Sequence, residues 1–294
     1  MAKPSAPGTQ HLALVECPRD AMQGLHEFIP TKDKIRYINK LLEVGFDTID
    51  FGSFVSHKAV PQMKDTAEVL NGLNMQNSGT SLLAIIANLR GAEDACRFPE
   101  IGYLGFPLSL SETFQERNTN KSIEEAFVSI GEIQNLCIRH KKKLVTYLSM
   151  GFGNPYGDPY DKAYIEQFVT RLDQLEIEII CPSDTIGVSN PANITALFSS
   201  LINKFPHIEF GAHLHSTPAT SIEKTEAAWM AGCRRFDGAL KGFGGCPMAT
   251  DELTGNIATE KTIQFFENNK IDLKIDKHRL NEALIMASEI FPAR

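Results

Sequence analysis

No apolar run in the 294-residue sequence approaches the roughly 20 residues that a membrane-spanning helix needs, so a helical membrane protein is not expected. A broad basic stripe is also missing. The 29 Lys and Arg and 36 Asp and Glu are spread along the chain, leave a formal net charge of -7, and give nucleic acid no footing. Only Lys141 to Lys143 form a short positive run. The six cysteines (Cys17, Cys96, Cys137, Cys181, Cys233, Cys246) are widely scattered. They show neither the paired spacing of a zinc ribbon nor a disulfide framework, and a reducing compartment fits them best. The start, Met1-Ala2-Lys3-Pro4-Ser5, carries no apolar secretory segment and no Arg-rich leader, so the expected location is the cytoplasm. Pro/Gly/Ser-rich linkers and low-complexity tracts are absent too. Residues 1–294 therefore read as one domain, a barrel with a short C-terminal helical extension, since α/β barrels reach ~250 residues as single units.

What is present is alternation. Short β-branched or apolar runs recur at His11 to Glu16, Thr48 to Gly52, Ser81 to Ala87, Ile101 to Phe106, Lys143 to Leu148, Ile177 to Cys181, Ile208 to His213 and Arg235 to Asp237. Amphipathic stretches separate them, with their own start signals. Thr31-Lys32-Asp33-Lys34 opens a helix, Ser122-Ile123-Glu124-Glu125 is a capping box, and Asn190-Pro191 puts a cap before a first-turn proline. Tyr164, Phe168, Leu172 and Leu175 repeat at helical spacing, and Ala227, Ala228 and Ala231 suit a helix packed closely on a sheet. Eight such units with no sign of a reversal in strand order favour an α/β fold of the closed (β/α)8 TIM-barrel type over an open doubly wound sheet.

In a barrel of this kind the chemistry sits at the C-terminal ends of the strands. Those ends carry Pro18-Arg19-Asp20, Ser53-Phe54-Val55-Ser56, Asn88, Ser183-Asp184-Thr185, and Gly211-Ala212-His213-Leu214-His215. After the eighth strand comes Gly242-Phe243-Gly244-Gly245-Cys246-Pro247, with Gly255-Asn256 beyond it. Imidazoles at i and i+2 of a strand share one face and can grip a single cation. Taken singly, each feature has a blander reading: Arg19-Asp20 as a solvated pair, His213 and His215 as a satisfied strand end, Asn256 as a helix cap. For Asp50, Ser53 and Asp184, capping helices and tying down loops compete with a functional role.

Taken in order, these residues resemble the 3-hydroxy-3-methylglutaryl-CoA lyases of the DRE-TIM metallolyase superfamily. The resemblance runs from the first strand to the last barrel helix. It is carried by Pro18-Arg19-Asp20 with Gln23, Ser53-Phe54-Val55-Ser56 with Lys58 and Val60-Pro61-Gln62-Met63, Asn88-Leu89 with Gly91, Asp184-Thr185-Ile186-Gly187-Val188, His213 with His215, Gly244-Gly245-Cys246-Pro247, and Gly255-Asn256. It implies a divalent cation held by Asp20, His213, His215 and Asn256. A carboxylate, two imidazoles and an amide without thiolate suit Mg or Mn better than a closed zinc site. The cation would chelate the tertiary hydroxyl and free carboxylate of an acyl-CoA. Arg19 would stabilise the departing enolate, Asp20 and His213 would handle protons, and Cys246 would be the thiol of a loop that closes over the ligand. Arg19, Asp50, Ser53, Asn88, Asp184 and Thr185 would contact substrate. His57, Lys58 and Lys141 to Lys143 are candidate contacts for the CoA phosphates, although isolated basic residues usually meet only water. The implied partner is a small acyl-CoA, with no nucleic acid and no membrane, and a homodimer is one option for assembly.

The match has departures. Asp50 stands where the lyases carry Glu, which puts its reach to Arg19 or substrate in doubt. Cys17 and Ala21 replace glycines, Ser216 follows His215 in place of Asp, and the loop after Cys246 has one extra residue. Two alternatives therefore stay open. One is a lyase or synthase of the same superfamily acting on another 3-hydroxy acyl-CoA or a 2-oxo acid, as 2-isopropylmalate and homocitrate synthases do. The other is a non-catalytic metal-binding barrel.

Overall fold

Eight parallel strands close on themselves in sequence order: β1 (Ala13–Glu16), β2 (Thr48–Ser53), β3 (Ser81–Ile85), β4 (Ile101–Ser109), β5 (Lys143–Ser149), β6 (Ile179–Pro182), β7 (Glu209–His213) and β9 (Arg235–Gly238). The computed structural model describes residues 11–76, 78–245 and 254–291. All eight expected strands are there, in a TIM barrel. Bounds shift where side chains redirect the chain: His11 bonds Asp47 at 2.5 Å and stands ahead of the sheet, while β4 runs on to pair Ser109 with Ser149.

Between the strands lie α1 (Pro18–Gln23), α2 (Thr31–Val44), α3 (Thr66–Asn71), α4 (Leu89–Cys96), α5 (Glu112–Thr119), α6 (Ile123–Arg139), α7 (Lys162–Gln174), α8 (Pro191–Lys204) and α9 (Ser221–Met230). After β9 come α10 (Thr259–Asn268) and α11 (Lys277–Ile290). The capping box at Ser122 and Glu125 forms, and Asn190 caps α8 ahead of Pro191. Thr31 opens α2 without capping it: Pro30 takes the cap position, and the Thr31 hydroxyl donates to Asp65 at 2.8 Å. α11 packs on α2, and Phe291 beyond it meets Tyr37 and Phe243 edgewise or tilted, at ring distances of 5.7 and 4.8 Å.

Period-two alternation sorts the strand side chains into two layers. The larger faces the helices and includes Leu82, Ala84, Leu104, Leu144, Leu148 and Ile180. The smaller fills the barrel interior with Leu83, Val145, Tyr147, Ile179 and Cys181, against Ile85 and Tyr103. Lys143 begins β5, so the Lys141 to Lys143 run lies at the N-terminal rim, opposite the mouth. There Lys142 donates to the carbonyls of Phe98 and Ile101, and Lys143 pairs with Glu178 at 2.9 Å. Those cations are spent on structure.

Candidate active site

Leaving β1, the chain turns at Cys17 into α1, whose first-turn proline presets the helix and places Arg19 and Asp20 over the barrel mouth. Both are buried. The Arg19 guanidinium is clamped by carboxylates: its Nε and Nη2 donate to Asp50 Oδ2 at 3.0 and 2.6 Å, and its Nη1 donates to Asp20 Oδ1 at 2.9 Å and Gln23 Oε1 at 2.8 Å. The doubt over the reach of Asp50 to Arg19 is thus removed, because the shorter side chain meets Arg19 two-pronged from β2. Burial works against charge on Asp20, but Arg19, His213, His215 and the Asn256 amide hold its carboxyl down to about 2. For Asp50 burial outweighs Arg19, and the carboxyl is pushed up to about 6. Both are ionised at neutral pH.

His213 ends β7, and His215 follows in a two-residue strand, β8 (His215–Ser216). That strand pairs antiparallel with β10 (Gly255–Asn256), setting Asn256 directly opposite His215. A two-rung ladder therefore brings together residues some 40 positions apart in sequence. Asn256 Nδ2 donates to Asp20 Oδ2 at 2.6 Å and to the Phe243 carbonyl at 2.9 Å, which leaves the amide oxygen to face another group. Gly244, at φ +84°, closes the wall: a Cβ there would stand 2.6 Å from the Asp20 carbonyl and 2.8 Å from Asn256 Nδ2. Only glycine fits so close an approach at that backbone angle.

Ligand atoms of Asp20, His213 and His215 all lie within 4.8 Å of one another. The protonation of Asp20 and His215 suits a cation. Burial, then the neighbouring His213, pulls His215 down to about 4, so it is neutral at pH 7, and its buried Nδ1 has no hydrogen-bond partner. An orphaned imidazole nitrogen in a buried polar cluster is an unfilled requirement. A bound cation would meet it, with Asp20 supplying charge and His213 and Asn256 completing an N/O set. On His213 burial acts downward, but Asp237, hydrogen-bonded to Nδ1 at 3.2 Å, and the Asp20 charge prevail and lift it above its ordinary 6.5.

The remaining expected site residues stand at the same rim, with their polar atoms engaged locally. Ser53 Oγ donates to the Ile85 carbonyl at 3.1 Å, Asn88 caps α4 through the Gly91 amide, and Thr185 Oγ1 accepts from the Met150 amide at 2.8 Å. Asp184 Oδ2 binds Ser189 and the buried Lys224 at 3.1 Å, while its Oδ1 is buried without a partner. Cys246 lies outside the described residues. Beside the mouth, the loops after β2 and β3 enclose a cavity of about 400 Å³ lined by Phe54, His57, Lys58, Asn88, Arg90 and Asp94 among others.

Two site residues escape the motif reading. Asp237 carries His213; alternation along β9 sets it on the face opposite Phe236, and only the pairing with β7 shows that face to be the inner one. Glu16, at the end of β1, is fully buried and ties down the loop after β9, accepting from the Leu240 amide at 2.8 Å and the Thr259 hydroxyl at 2.6 Å.

Known proteins match this arrangement over most of its length. A family model described as HMGL-like matches residues 13–286. Hydroxymethylglutaryl-CoA lyase YngG of Bacillus subtilis is 31% identical over 266 residues, 90% of this chain and 88% of the relative. The 3-hydroxy-3-isohexenylglutaryl-CoA/hydroxy-methylglutaryl-CoA lyase of Pseudomonas aeruginosa is 31% identical with the same coverage. A solved HMG-CoA lyase from Acinetobacter baumannii, in complex with coenzyme A and 3-methylmalate, superposes with a TM-score of 0.87 at 30% identity, over 96% of this chain and 91% of that one.

Proposed function

The chain belongs to the HMGL-like family, and from that premise we propose that it is a divalent-metal-dependent carbon-carbon lyase that cleaves 3-hydroxy-3-methylglutaryl-CoA to acetyl-CoA and acetoacetate. The observation that carries this reading is the buried convergence of Asp20, His213 and His215, with Arg19 against Asp20 and Asn256 laddered opposite His215. Asp20, His213, His215 and Asn256 would hold the cation, and their hard N/O donors favour Mg or Mn. Such an ion supplies Lewis acidity that lowers the pKa of the substrate's tertiary hydroxyl.

The protein's own groups do the rest. As the hydroxyl proton leaves, the carbinol carbon becomes the ketone of acetoacetate, and the electron pair of the broken bond moves onto the thioester enolate. Arg19 is always protonated and is fixed in place by Asp50, so it can meet that developing negative charge without reorganising. Asp20 is the group left to take the hydroxyl proton, because its carboxylate keeps lone pairs beyond the one given to a cation, whereas His213 has Nδ1 on Asp237 and would give Nε2 to the cation. Proton return to the enolate carbon then gives acetyl-CoA. We assign the anionic end of CoA to the cavity beside the mouth, where Lys58 and Arg90 face a single carboxylate, Asp94.

No helix among the described residues is long and apolar enough to cross a membrane. The five cysteines described are free and buried, which supports a reducing cytoplasm as the setting. The test is direct. Purified protein incubated with 3-hydroxy-3-methylglutaryl-CoA and Mg should release acetoacetate and acetyl-CoA in equal amounts. A protein that binds the thioester and leaves it intact would be a metal-binding barrel rather than a lyase.

A further inference from the structure

An imidazole has two nitrogens, and something must decide which of them His213 turns toward the cluster. We infer that a buried Arg235–Asp237 pair on the barrel floor decides it, holding Nδ1–H downward so that the Nε2 lone pair faces Asp20 and His215; this rests on the metal reading above.

In the register of β7 against β9, Gly211 lies opposite Arg235 and His213 opposite Asp237, so all four positions face the barrel interior. The Asp237 carboxylate can only accept, so its 3.2 Å contact places the neutral ring's proton on Nδ1. Beneath it, Arg235 is 2% exposed, with Nε 3.8 Å from Asp237 Oδ1 and Nη1 3.2 Å from Glu209 Oε1 at the lower rim. The absence of a side chain at position 211 admits it: a Cβ there would stand 2.5 Å from Cys181 Sγ and 2.9 Å from Arg235 Cδ. From the side, the Tyr147 ring meets His213 at 5.4 Å and 75°, limiting rotation of the imidazole.

A guanidinium is costly inside an otherwise apolar barrel unless its charge is used. Arg235 Nε and Nη2 make no hydrogen bond, and neither does Asp237 Oδ1, so the pair interacts as two charges rather than as a fork. That arrangement anchors Asp237 electrostatically from below while its Oδ2 holds His213 from above. A carboxylate that holds the far nitrogen of a metal-ligating imidazole fixes both ring orientation and tautomer, and its loss typically costs 10- to 100-fold in metal affinity. Asp237 and Arg235 are thus positioning residues, acting on any ligand through His213.

Nitrogen NMR on metal-free protein labelled with 15N-histidine tests the tautomer without metal or turnover. In alkaline solution, where the ring is neutral, His213 should show a protonated Nδ1 and an unprotonated Nε2, assigned by loss of the signal in His213→Asn. A proton on Nε2 would overturn the inference, whatever any variant does. Mn2+ titration followed by EPR supplies the second arm. Asp237→Asn, whose amide can donate as well as accept, should bind Mn2+ about 10- to 100-fold more weakly. Arg235→Met should weaken it in the same direction but less, and Arg235→Lys should recover part of that loss. Folded Asp237→Asn that binds Mn2+ like wild type sinks the inference alone. Wild type that takes up no Mn2+ sinks the metal reading and leaves the NMR result to judge the tautomer.

Discussion

Replacing Arg19 by Gln separates the chemistry of the site from its stability, because the guanidinium is engaged in both. Its ion pairs with Asp20 and Asp50, at 2.9 and 2.6 Å, involve side chains all less than a tenth exposed. Without the cation, Asp50, which burial already pushes up to about 6, must take up a proton or stay charged and unpaired, and deleting one partner of such a pair costs about 3–5 kcal/mol. A domain with total stability of about 5–15 kcal/mol survives this, but with a visibly earlier urea midpoint. Kinetically, Arg19 stabilises charge that exists only while the carbon-carbon bond breaks, so kcat should fall by ~10²- to 10³-fold, as for a lost oxyanion donor, with KM moving modestly. The two effects come apart in the Arg19→Gln, Asp50→Asn double variant. Asp50→Asn removes the group that must otherwise be protonated or buried charged, and should restore much of the stability, while kcat stays low. Urea denaturation beside steady-state kinetics on the single and double variants decides it. A large rise in KM at unchanged kcat would make Arg19 an anchor for CoA or carboxylate, and the enolate assignment would be wrong.

Two other perturbations follow from particular contacts. Burial lifts Glu16 from an ordinary 4.5 to about 8, so between those values the folded chain holds a proton the unfolded chain has lost, and its contribution to stability declines as pH rises through that interval. Glu16→Gln keeps one oxygen to accept from the Leu240 amide and offers an N–H to the Thr259 hydroxyl oxygen, without that titration, so its urea midpoint should gain on wild type between about pH 5 and about pH 9; a pH-independent difference contradicts the assignment. Gly244→Ala puts a methyl 2.6 Å from the Asp20 carbonyl at φ +84°, strain of ~1–3 kcal/mol at the cluster. It should weaken Mn2+ binding and turnover while far-UV circular dichroism stays native, and unchanged metal affinity would show that the close approach is incidental.

Much of the fold is legible in the sequence because each local signal agrees with the next. The Ser122 box and the Asn190-Pro191 cap form as their residue types dictate, and eight runs of strand-forming residues between helices leave few alternatives to a closed parallel barrel. What the sequence hides is set by register and reach. The pairing of Asn256 with His215 depends on two rungs too short to leave a periodic signal. Asp184 reads as a site carboxylate, yet its Oδ2 engages Lys224, a cation 40 positions away that no motif marks. Arg235 and Asp237 are hidden for another reason. A charged pair inside a barrel looks like surface composition until the strand is given neighbours, and only then do Gly211 and His213 across the ladder show which way it points.

The central claim, cation-dependent carbon-carbon cleavage at the Asp20, His213, His215 and Asn256 cluster, is tested most directly by acetoacetate release from chelator-stripped protein supplied with 3-hydroxy-3-methylglutaryl-CoA. Stripped wild type should be inactive and should recover on addition of Mg or Mn. Under the same protocol His215→Ala should need roughly ten-fold more metal or greater, since one of four protein ligands is gone. Full turnover by rigorously metal-free protein, or an unchanged metal requirement in His215→Ala, would contradict the account.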